Sequence, residues 1–235
     1  MSPLSAPGRD TDEAAQRAAL VAQARRLVPL GLASGTSGNL SVRWTVDGAP
    51  GMLITPSGVD YERLGPDDIV PVRFAASPTL EASWTHVLAP SSEWRMHQAV
   101  YLARPEAGAV VHGHPTHATV LAIRGLPIPA LHYMIAAAGG PTIRCAPYHT
   151  FGTEALSLAA LQALEGRKAC LLAHHGLLAF ERHLDKAMWL AREVETLAQQ
   201  YWMALQLGAP VPLLPDDEIE RVVEKFAGYG LRQPR

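Results

Sequence analysis

Cysteine is scarce in this chain of 235 residues, which has only Cys145 and Cys170. Two cysteines provide no disulfide framework, and this composition is typical of a protein that works in a reducing compartment. The first sixteen residues, MSPLSAPGRDTDEAAQ, contain no apolar core of a secretion signal. We therefore expect a cytoplasmic protein.

An excess of charge of one sign is also missing. The chain carries 20 Lys and Arg against 22 Asp and Glu, which leaves a formal net charge of −2. Proteins that bind nucleic acid or a membrane surface usually carry a basic excess or a basic stripe. No apolar run approaches the roughly 20 residues that a membrane-spanning helix needs. We expect no nucleic-acid partner and no membrane partner.

No internal repeat, low-complexity tract or linker divides the chain. We expect residues 1–12 to form a flexible tail and residues 13–235 to form a single domain. Apolar residues at helical spacing predict helices from residue 12, from the PSSEWRMH segment, over 185–206 and after Pro215. Strands are predicted by short apolar runs: NLSVR, GMLIT, AVVHG and the two runs on either side of AHHG. We expect residues 74–90 to form a loop that contains one strand. These patterns indicate one mixed α/β domain.

Two groups of histidines follow apolar strands. In AVVHGHPTHA, His112 and His114 are two residues apart, so a strand would present both imidazoles on one side to a metal ion. A catalytic zinc site needs three protein ligands. In LLAHHGLLAF, His174 and His175 precede Gly176, and adjacent strand residues face opposite sides. The spacing leaves open which of the two joins the first pair, and surface or core histidines are the alternative.

Glu93 precedes a predicted helix in PSSEWRMH. An acid there favours the helix dipole, but near a metal it would serve as general base or displaceable ligand. Ser91 and Ser92 could cap the helix or hold a phosphate at its N-terminus. The turns SGTSGN (34–39) and TPSG (55–58) match neither a Walker loop nor a dinucleotide fingerprint. Alone each predicts a turn, and together with PSSE they favour an anion pocket.

The motifs GTSGNLSVR, MLITPSGVDYERL, PSSEWRMH, AVVHGHPTHATVLA, LHYMIAAAGG, CAPYHTFGT, LLAHHGLLA and EKFAGYGLR occur in this order. From about residue 13 to the end, the chain resembles the class II aldolase/adducin family, above all its branch that acts on L-fuculose 1-phosphate. The resemblance implies a three-layer α/β/α fold with a central, mainly antiparallel sheet. It also implies a homotetramer with active sites between neighbouring subunits.

The resemblance also implies residue roles. One zinc ion per subunit would be held by His112, His114 and His175, since the family's third ligand directly precedes the glycine; Mn²⁺ or Co²⁺ could occupy a similar site. Glu93 matches the family's acid/base, Tyr133 a tyrosine offered by the adjacent subunit, and Tyr229 a second, mobile tyrosine in the tail. Positions that match the family's phosphate loops are Asn39, Ser57, Gly58, Ser91 and Ser92, with Thr36 and Gly38 close by.

The implied activity is reversible cleavage of a ketose 1-phosphate into dihydroxyacetone phosphate and a short aldehyde. The substrate would be a phosphorylated sugar of the L-fuculose 1-phosphate type. Alternatives are an aldolase for 5-deoxyribulose or methylthioribulose 1-phosphate in 5'-deoxynucleoside salvage, and a ribulose-phosphate 4-epimerase, which we expect to carry Asp where this chain has Glu93. A non-catalytic adducin-like scaffold would lack the metal ligands. Two features depart from the family pattern: the 74–90 segment is longer than we expect, and His149 stands where we expect a small residue. Both could lie near the aldehyde end of the substrate, so the identity of the aldehyde stays open.

Overall fold

The structure of the protein, a computed structural model, describes residues 12–75 and 81–228. It is built on an eight-stranded sheet with the strand order β4-β3-β2-β1-β5-β8-β7-β6. The strands are β1 (Asn39–Val46), β2 (Ala49–Ile54), β3 (Val70–Phe74), β4 (Ala82–Ser83), β5 (Ala109–Gly113), β6 (Cys145–Ala146), β7 (Ala169–Leu172) and β8 (Gly176–Glu181). Every neighbouring pair is antiparallel except β6 and β7, which are parallel. The sheet is therefore mainly antiparallel, as predicted.

Six α-helices accompany the sheet in the described part of the chain. They are α1 (Glu13–Ala24), α2 (Trp94–Ala103), α3 (Thr116–Ile123), α4 (Glu154–Ala163), α5 (Leu184–Gln206) and α6 (Asp216–Gly228). Local signals fix several ends: the Asp12 side chain accepts a hydrogen bond from the Ala14 N–H at the start of α1. Gly208 follows α5 with φ +74°, a conformation that glycine adopts without steric cost.

Side chains that alternate along the strands form a hydrophobic core on each face of the sheet. In β5, Ala109 and Val111 pack on the face covered by α1, α3, α5 and α6. Val110 lies on the opposite face, which α2 and α4 cover. His112 shares the side of Val110 because strand residues two apart face the same way. The result is the expected three-layer α/β/α arrangement, with His112 directed toward the α2 layer.

The long helix predicted over 185–206 is confirmed as α5, and the helices predicted after residue 12, at PSSEWRMH and after Pro215 are confirmed as α1, α2 and α6. The segment IPALHYMIAAAGG, whose sequence does not decide between helix and strand, contains a 3-10 helix, Tyr133–Ala138. Residues 74–90 include the short edge strand β4, while residues 76–80 lie outside the described part. Among the described helices, none combines the length and apolar character needed to cross a bilayer.

Candidate active site

The end of β5 places the first histidine pair. His112 is fully buried, and its Nδ1–H donates to the Leu177 carbonyl at 2.8 Å. With Nδ1 bonded in this way, Nε2 is the ring nitrogen that faces the neighbouring side chains. That Nε2 lies 2.9 Å from Nε2 of His114. The two rings therefore direct their Nε2 atoms at one point.

The turn between β7 and β8 brings a third imidazole to the same point. His174 has φ +55°, and this bend directs the ring of His175 toward the β5 pair. The ring centroids of His175 lie 4.8 Å from His112 and 5.0 Å from His114. A Cβ on Gly176 would lie 2.3 Å from the Gly113 carbonyl oxygen and 2.7 Å from Cδ2 of His114. Only glycine therefore lets the turn approach β5 this closely.

Glu93 completes the cluster from the N-cap position of α2. Its Oε2 lies 3.0 Å from Nε2 of His112, and its Oε1 lies 3.2 Å from Nε2 of His175. One ligand atom from each of Glu93, His112, His114 and His175 lies within 4.8 Å of the others. The choice that the spacing left open is therefore made by geometry, which brings His175 into the cluster.

The other two nearby histidines have different partners. The ring of His174 packs edge-on against Tyr148, with centroids 6.0 Å apart. His117 Nδ1 lies 2.7 Å from Oε1 of Glu195, whose carboxylate also accepts the backbone N–H groups of His117 and Ala118 at the start of α3. Neither ring belongs to the cluster.

The charges in the cluster suit a cation. Burial alone would raise the pKa of Glu93, but His112 and His175 outweigh it and hold this pKa well below its usual range. Burial and the two neighbouring rings lower the pKa of His114 to about 4. Oε1 of Glu93 is buried and has no well-formed hydrogen bond among the described residues. A buried carboxylate beside three imidazoles is a donor set that zinc accepts, so the residues fit the implied metal.

The predicted phosphate loops lie side by side next to Glu93. Ser57 N–H donates to the Ala89 carbonyl, and Ser91 N–H donates to the Thr55 carbonyl, each at 3.0 Å. Ser91 Oγ accepts the Glu93 N–H at 3.3 Å. Thr36, Ser57, Gly58 and Ser92 are exposed, and Ser91 is buried. The structure thus brings 55–58 and 89–92 together, while phosphate binding stays a prediction.

The 34–39 turn also passes close to the cluster. Gly38 has φ +89°, and a Cβ there would lie 3.0 Å from the His112 carbonyl oxygen. The next side chain, Asn39, is buried: Nδ2 donates to Glu93 Oε2 at 3.1 Å, and Oδ1 lies 2.6 Å from Nε2 of His97. The amide is therefore engaged by two protein groups, and a phosphate contact by Asn39 stays a prediction.

The two predicted tyrosines lie elsewhere. Tyr133 begins the 3-10 helix, is 49% exposed and packs its ring against His132 with centroids 4.7 Å apart. Its exposure is compatible with a role in a neighbouring subunit, which stays a prediction. Tyr229 lies outside the described residues.

A cavity of about 310 Å³ opens onto the cluster. Glu93, His114 and His175 form its floor, and the other lining residues are Ser92, Tyr148, His149, Phe151 and His174. Three of these residues, Tyr148, His149 and Phe151, belong to the motif CAPYHTFGT and form one wall of the cavity. From the sequence, only His149 in this motif was expected to lie near the substrate. A small substrate that enters the cavity would meet Glu93, His114 and His175, whereas His112 is fully buried and does not line it.

Sequence reasoning also missed a buried polar layer behind Glu93. Ser41, His97 and Tyr101 are all buried, and the Ser41 hydroxyl is hydrogen-bonded to both of the others. Their signal was present, because Asn39 and Ser41 are two apart in a strand while Glu93, His97 and Tyr101 are four apart along a helix.

Known proteins resemble this chain over most of its length. The sequence profile of the Class II Aldolase and Adducin N-terminal domain matches residues 18–202. An L-fuculose phosphate aldolase of Escherichia coli (strain K12) is 53% identical over 205 residues, 86% of this chain and 90% of the relative. A 5-methylthioribulose-1-phosphate/5-deoxyribulose-1-phosphate aldolase of Rhodospirillum rubrum is 54% identical over 216 residues, 92% of this chain and 93% of the relative.

The fold agrees with the sequence. A solved structure of an L-fuculose 1-phosphate aldolase superimposes with a TM-score of 0.83 at 40% identity, covering 90% of this chain and 96% of that one. Because the profile spans well over half of the sequence and the relatives match nearly all of it, the chain belongs to the class II aldolase and adducin family and is a lyase of its aldolase branch.

Proposed function

We propose that this protein reversibly cleaves a ketose 1-phosphate of the L-fuculose 1-phosphate type into dihydroxyacetone phosphate and a short aldehyde. The observation that carries the proposal is the cluster of three imidazoles and a carboxylate, of which Glu93, His114 and His175 line an open cavity. Two loops rich in hydroxyl and N–H groups lie beside it and suit the phosphate of such a substrate.

His112, His114 and His175 would hold the metal, which we take to be one zinc ion per subunit, with Mn²⁺ or Co²⁺ as substitutes. When bound, it supplies Lewis-acid polarisation of the substrate's oxygens. The Leu177 carbonyl fixes the tautomer of His112 at 2.8 Å, so this ligand is oriented before the metal arrives.

Glu93 would move the proton at the reacting carbon of the dihydroxyacetone phosphate half. Its carboxylate is buried at the cavity floor and is held in the ionised, proton-accepting form. Tyr133 of a neighbouring subunit would handle the proton on the aldehyde-side hydroxyl, assisted by Tyr229. The phosphate loops would fix the substrate so that its reacting carbons meet Glu93.

A second substrate class has almost equal support. The Rhodospirillum rubrum relative, named for 5-methylthioribulose and 5-deoxyribulose 1-phosphates, is 54% identical, and the Escherichia coli fuculose relative is 53% identical. Both classes share the dihydroxyacetone phosphate half, so the metal and phosphate sites do not separate them. The cavity wall of Tyr148, His149 and Phe151 would contact the half in which they differ.

We also propose that the protein works in the cytoplasm as a homo-oligomer, a tetramer with active sites between subunits. Several large apolar side chains on α3 and α5 are exposed in the single chain, among them Ile123, Trp189 and Met203. Clustered apolar exposure on two packed helices is typical of a surface that another subunit covers. Tyr133 would reach a neighbouring site in such an assembly.

Aldol cleavage by the zinc-loaded protein tests the proposal. Dihydroxyacetone phosphate release is followed for L-fuculose, L-rhamnulose, 5-deoxyribulose and methylthioribulose 1-phosphates and for L-ribulose 5-phosphate, with and without a chelator. Chelator-sensitive release from a ketose 1-phosphate is expected, and the best substrate identifies the aldehyde. No release from any of them with zinc bound would contradict the proposal and favour epimerase or decarboxylase chemistry.

A further inference from the structure

A continuous row of buried polar side chains runs between α2 and β1 and ends at Glu93. Its members are Tyr101, Ser41, His97 and Asn39, each at most 4% exposed. The links are Tyr101 OH to Ser41 Oγ at 2.8 Å, Ser41 Oγ to His97 Nδ1 at 2.7 Å, His97 Nε2 to Asn39 Oδ1 at 2.6 Å and Asn39 Nδ2 to Glu93 Oε2 at 3.1 Å. Polar groups in such a place are costly unless all are satisfied.

The direction of each hydrogen bond follows from the orientation of the Asn39 amide. Its Nδ2 lies 3.1 Å from Glu93 Oε2, and an amide nitrogen can only donate. Its Oδ1 then faces His97, and because a carbonyl oxygen cannot donate, His97 Nε2 must carry the hydrogen. The tautomer of His97 is therefore set by the Asn39 amide.

The rest of the row follows from the neutrality of His97. Burial lowers its pKa to about 3, so at neutral pH only one ring nitrogen is protonated. With the hydrogen on Nε2, Nδ1 accepts from the Ser41 hydroxyl. Ser41 has then used its hydrogen and accepts from Tyr101. All four donors point along the row toward Glu93.

We propose that His97 is a positioning residue that holds the Asn39 amide with its NH₂ toward Glu93 and so fixes the carboxylate for proton transfer. This inference rests on the proposed function, in which Glu93 moves the proton. His97 is separated from Glu93 by Asn39 and is not among the residues that line the cavity, so it acts through Asn39. Without the His97 donor, a turned amide would place Oδ1 against the carboxylate, and repulsion would displace Glu93.

Two substitutions at one position separate this role from packing. The terminal amide of glutamine reaches the place of Nε2, so His97→Gln keeps a donor to Asn39. Asparagine reaches only the place of Nδ1, so His97→Asn keeps a group near Ser41 and loses the donor. Gln98→Met is the control, because Gln98 is buried on the same helix and donates to the Glu81 carbonyl at 2.9 Å, away from the row.

In the zinc-loaded protein, His97→Asn is expected to lower kcat about 10- to 100-fold, the usual effect of losing a group that orients an active-site residue. KM and zinc content are expected to stay near the wild-type values. His97→Gln should keep most of the wild-type kcat, and Gln98→Met should match the wild type. Equal losses in His97→Gln and His97→Asn, or a wild-type kcat in His97→Asn, would overturn the proposal.

A measurement without turnover is made on the wild-type protein labelled with ¹⁵N-histidine. Long-range ¹H–¹⁵N spectra of the metal-free and zinc-loaded forms report the ring tautomers, and His97 is expected as Nε2–H in both. An Nδ1–H tautomer would overturn the row's direction and with it the proposal. If the wild type releases no dihydroxyacetone phosphate, the proposed function fails, yet the tautomer and a crystal structure of His97→Asn still decide whether His97 positions Glu93.

Discussion

Replacing His114 and His117 in parallel separates metal binding from local structure. The two histidines are three residues apart, yet His114 joins the cluster and His117 pairs with Glu195 at 2.7 Å. His114→Ala is expected to lose zinc, whereas His117→Ala is expected to keep it. The pair is matched because both changes remove one imidazole from the segment that follows β5.

The magnitudes follow from what each ring contacts. In small structural sites, zinc binding of roughly 10–16 kcal/mol is shared by four protein ligands, which gives about 2.5–4 kcal/mol for each ligand. Loss of His114 should then weaken zinc binding about 10²- to 10³-fold. His117→Ala removes the hydrogen bond from Nδ1 to Glu195 but leaves two backbone N–H groups bonded to that carboxylate. Its cost should be about 0.5–1.5 kcal/mol of unfolding free energy, with zinc affinity unchanged.

Zinc content after dialysis is measured by elemental analysis, and the zinc dissociation constant by competition with a chromophoric chelator. Urea denaturation gives the unfolding free energy of each metal-free variant. Equal loss of zinc in both variants would show that His117 belongs to the site and would refute the reasoning. Wild-type zinc affinity in His114→Ala would refute it equally, because the cluster would then not be the metal site.

Three further changes probe the site. Glu93→Gln should keep zinc and lower the rate of dihydroxyacetone phosphate release by about 10²- to 10⁴-fold, because a neutral amide cannot accept the proton; an active variant would exclude Glu93 as the base. Gly176→Ala should weaken zinc binding and cost about 1–3 kcal/mol in urea denaturation, since its Cβ would lie 2.3 Å from the Gly113 carbonyl oxygen; unchanged affinity and stability would contradict this. Because burial lowers the pKa of His97 to about 3 from 6.5, the unfolded chain binds the extra proton, and His97 should contribute a loss of about 1.4 kcal/mol of unfolding free energy per pH unit in the metal-free protein as the pH falls from 6.5 to about 3. His97→Gln should remove this contribution to the slope, and a slope unchanged by the substitution would argue against a buried neutral His97.

The helices and central strands could be predicted because each has a strong local signal. The apolar stripe of α5 repeats over six turns, and β5 is a short run of apolar residues closed by the histidines. Strand β3, next to the edge strand β4, has no such signal. It is the sequence VPVRF, and Pro71 within it argues against a strand until it is known that β4 pairs only with Arg73 and Phe74, so that one side of Pro71 has no partner strand. Its pairing with β2 is decided by tertiary contacts.

In the site too, some relations between residues are local in the sequence and others depend on the fold. Two residues apart on a strand is a local relation, so the pairing of His112 and His114 followed from spacing alone. The choice between His174 and His175 depended on the conformation of a turn in which His174 adopts φ +55°, and spacing does not encode that angle. The orientation of the Asn39 amide toward Glu93 depends on the contact between β1 and α2, which are far apart in the sequence and meet only in the folded chain. Spacing therefore predicts which side chains can lie on the same face of a strand or helix, but it does not predict which group each side chain contacts.

The row behind Glu93 shows where a stronger sequence rule would apply. Along α2, Glu93, His97 and Tyr101 recur every four residues, and along β1, Asn39 and Ser41 recur every two. Polar residues at the period of the buried face contradict the rule that this face is apolar. A chain that only needed stability would be served by apolar residues there, because satisfied buried polar groups add little net stability. Two polar stripes with the buried period, one on a helix and one on a strand, therefore predict a hydrogen-bonded layer between them. In this chain that layer ends at the residue proposed to move the proton.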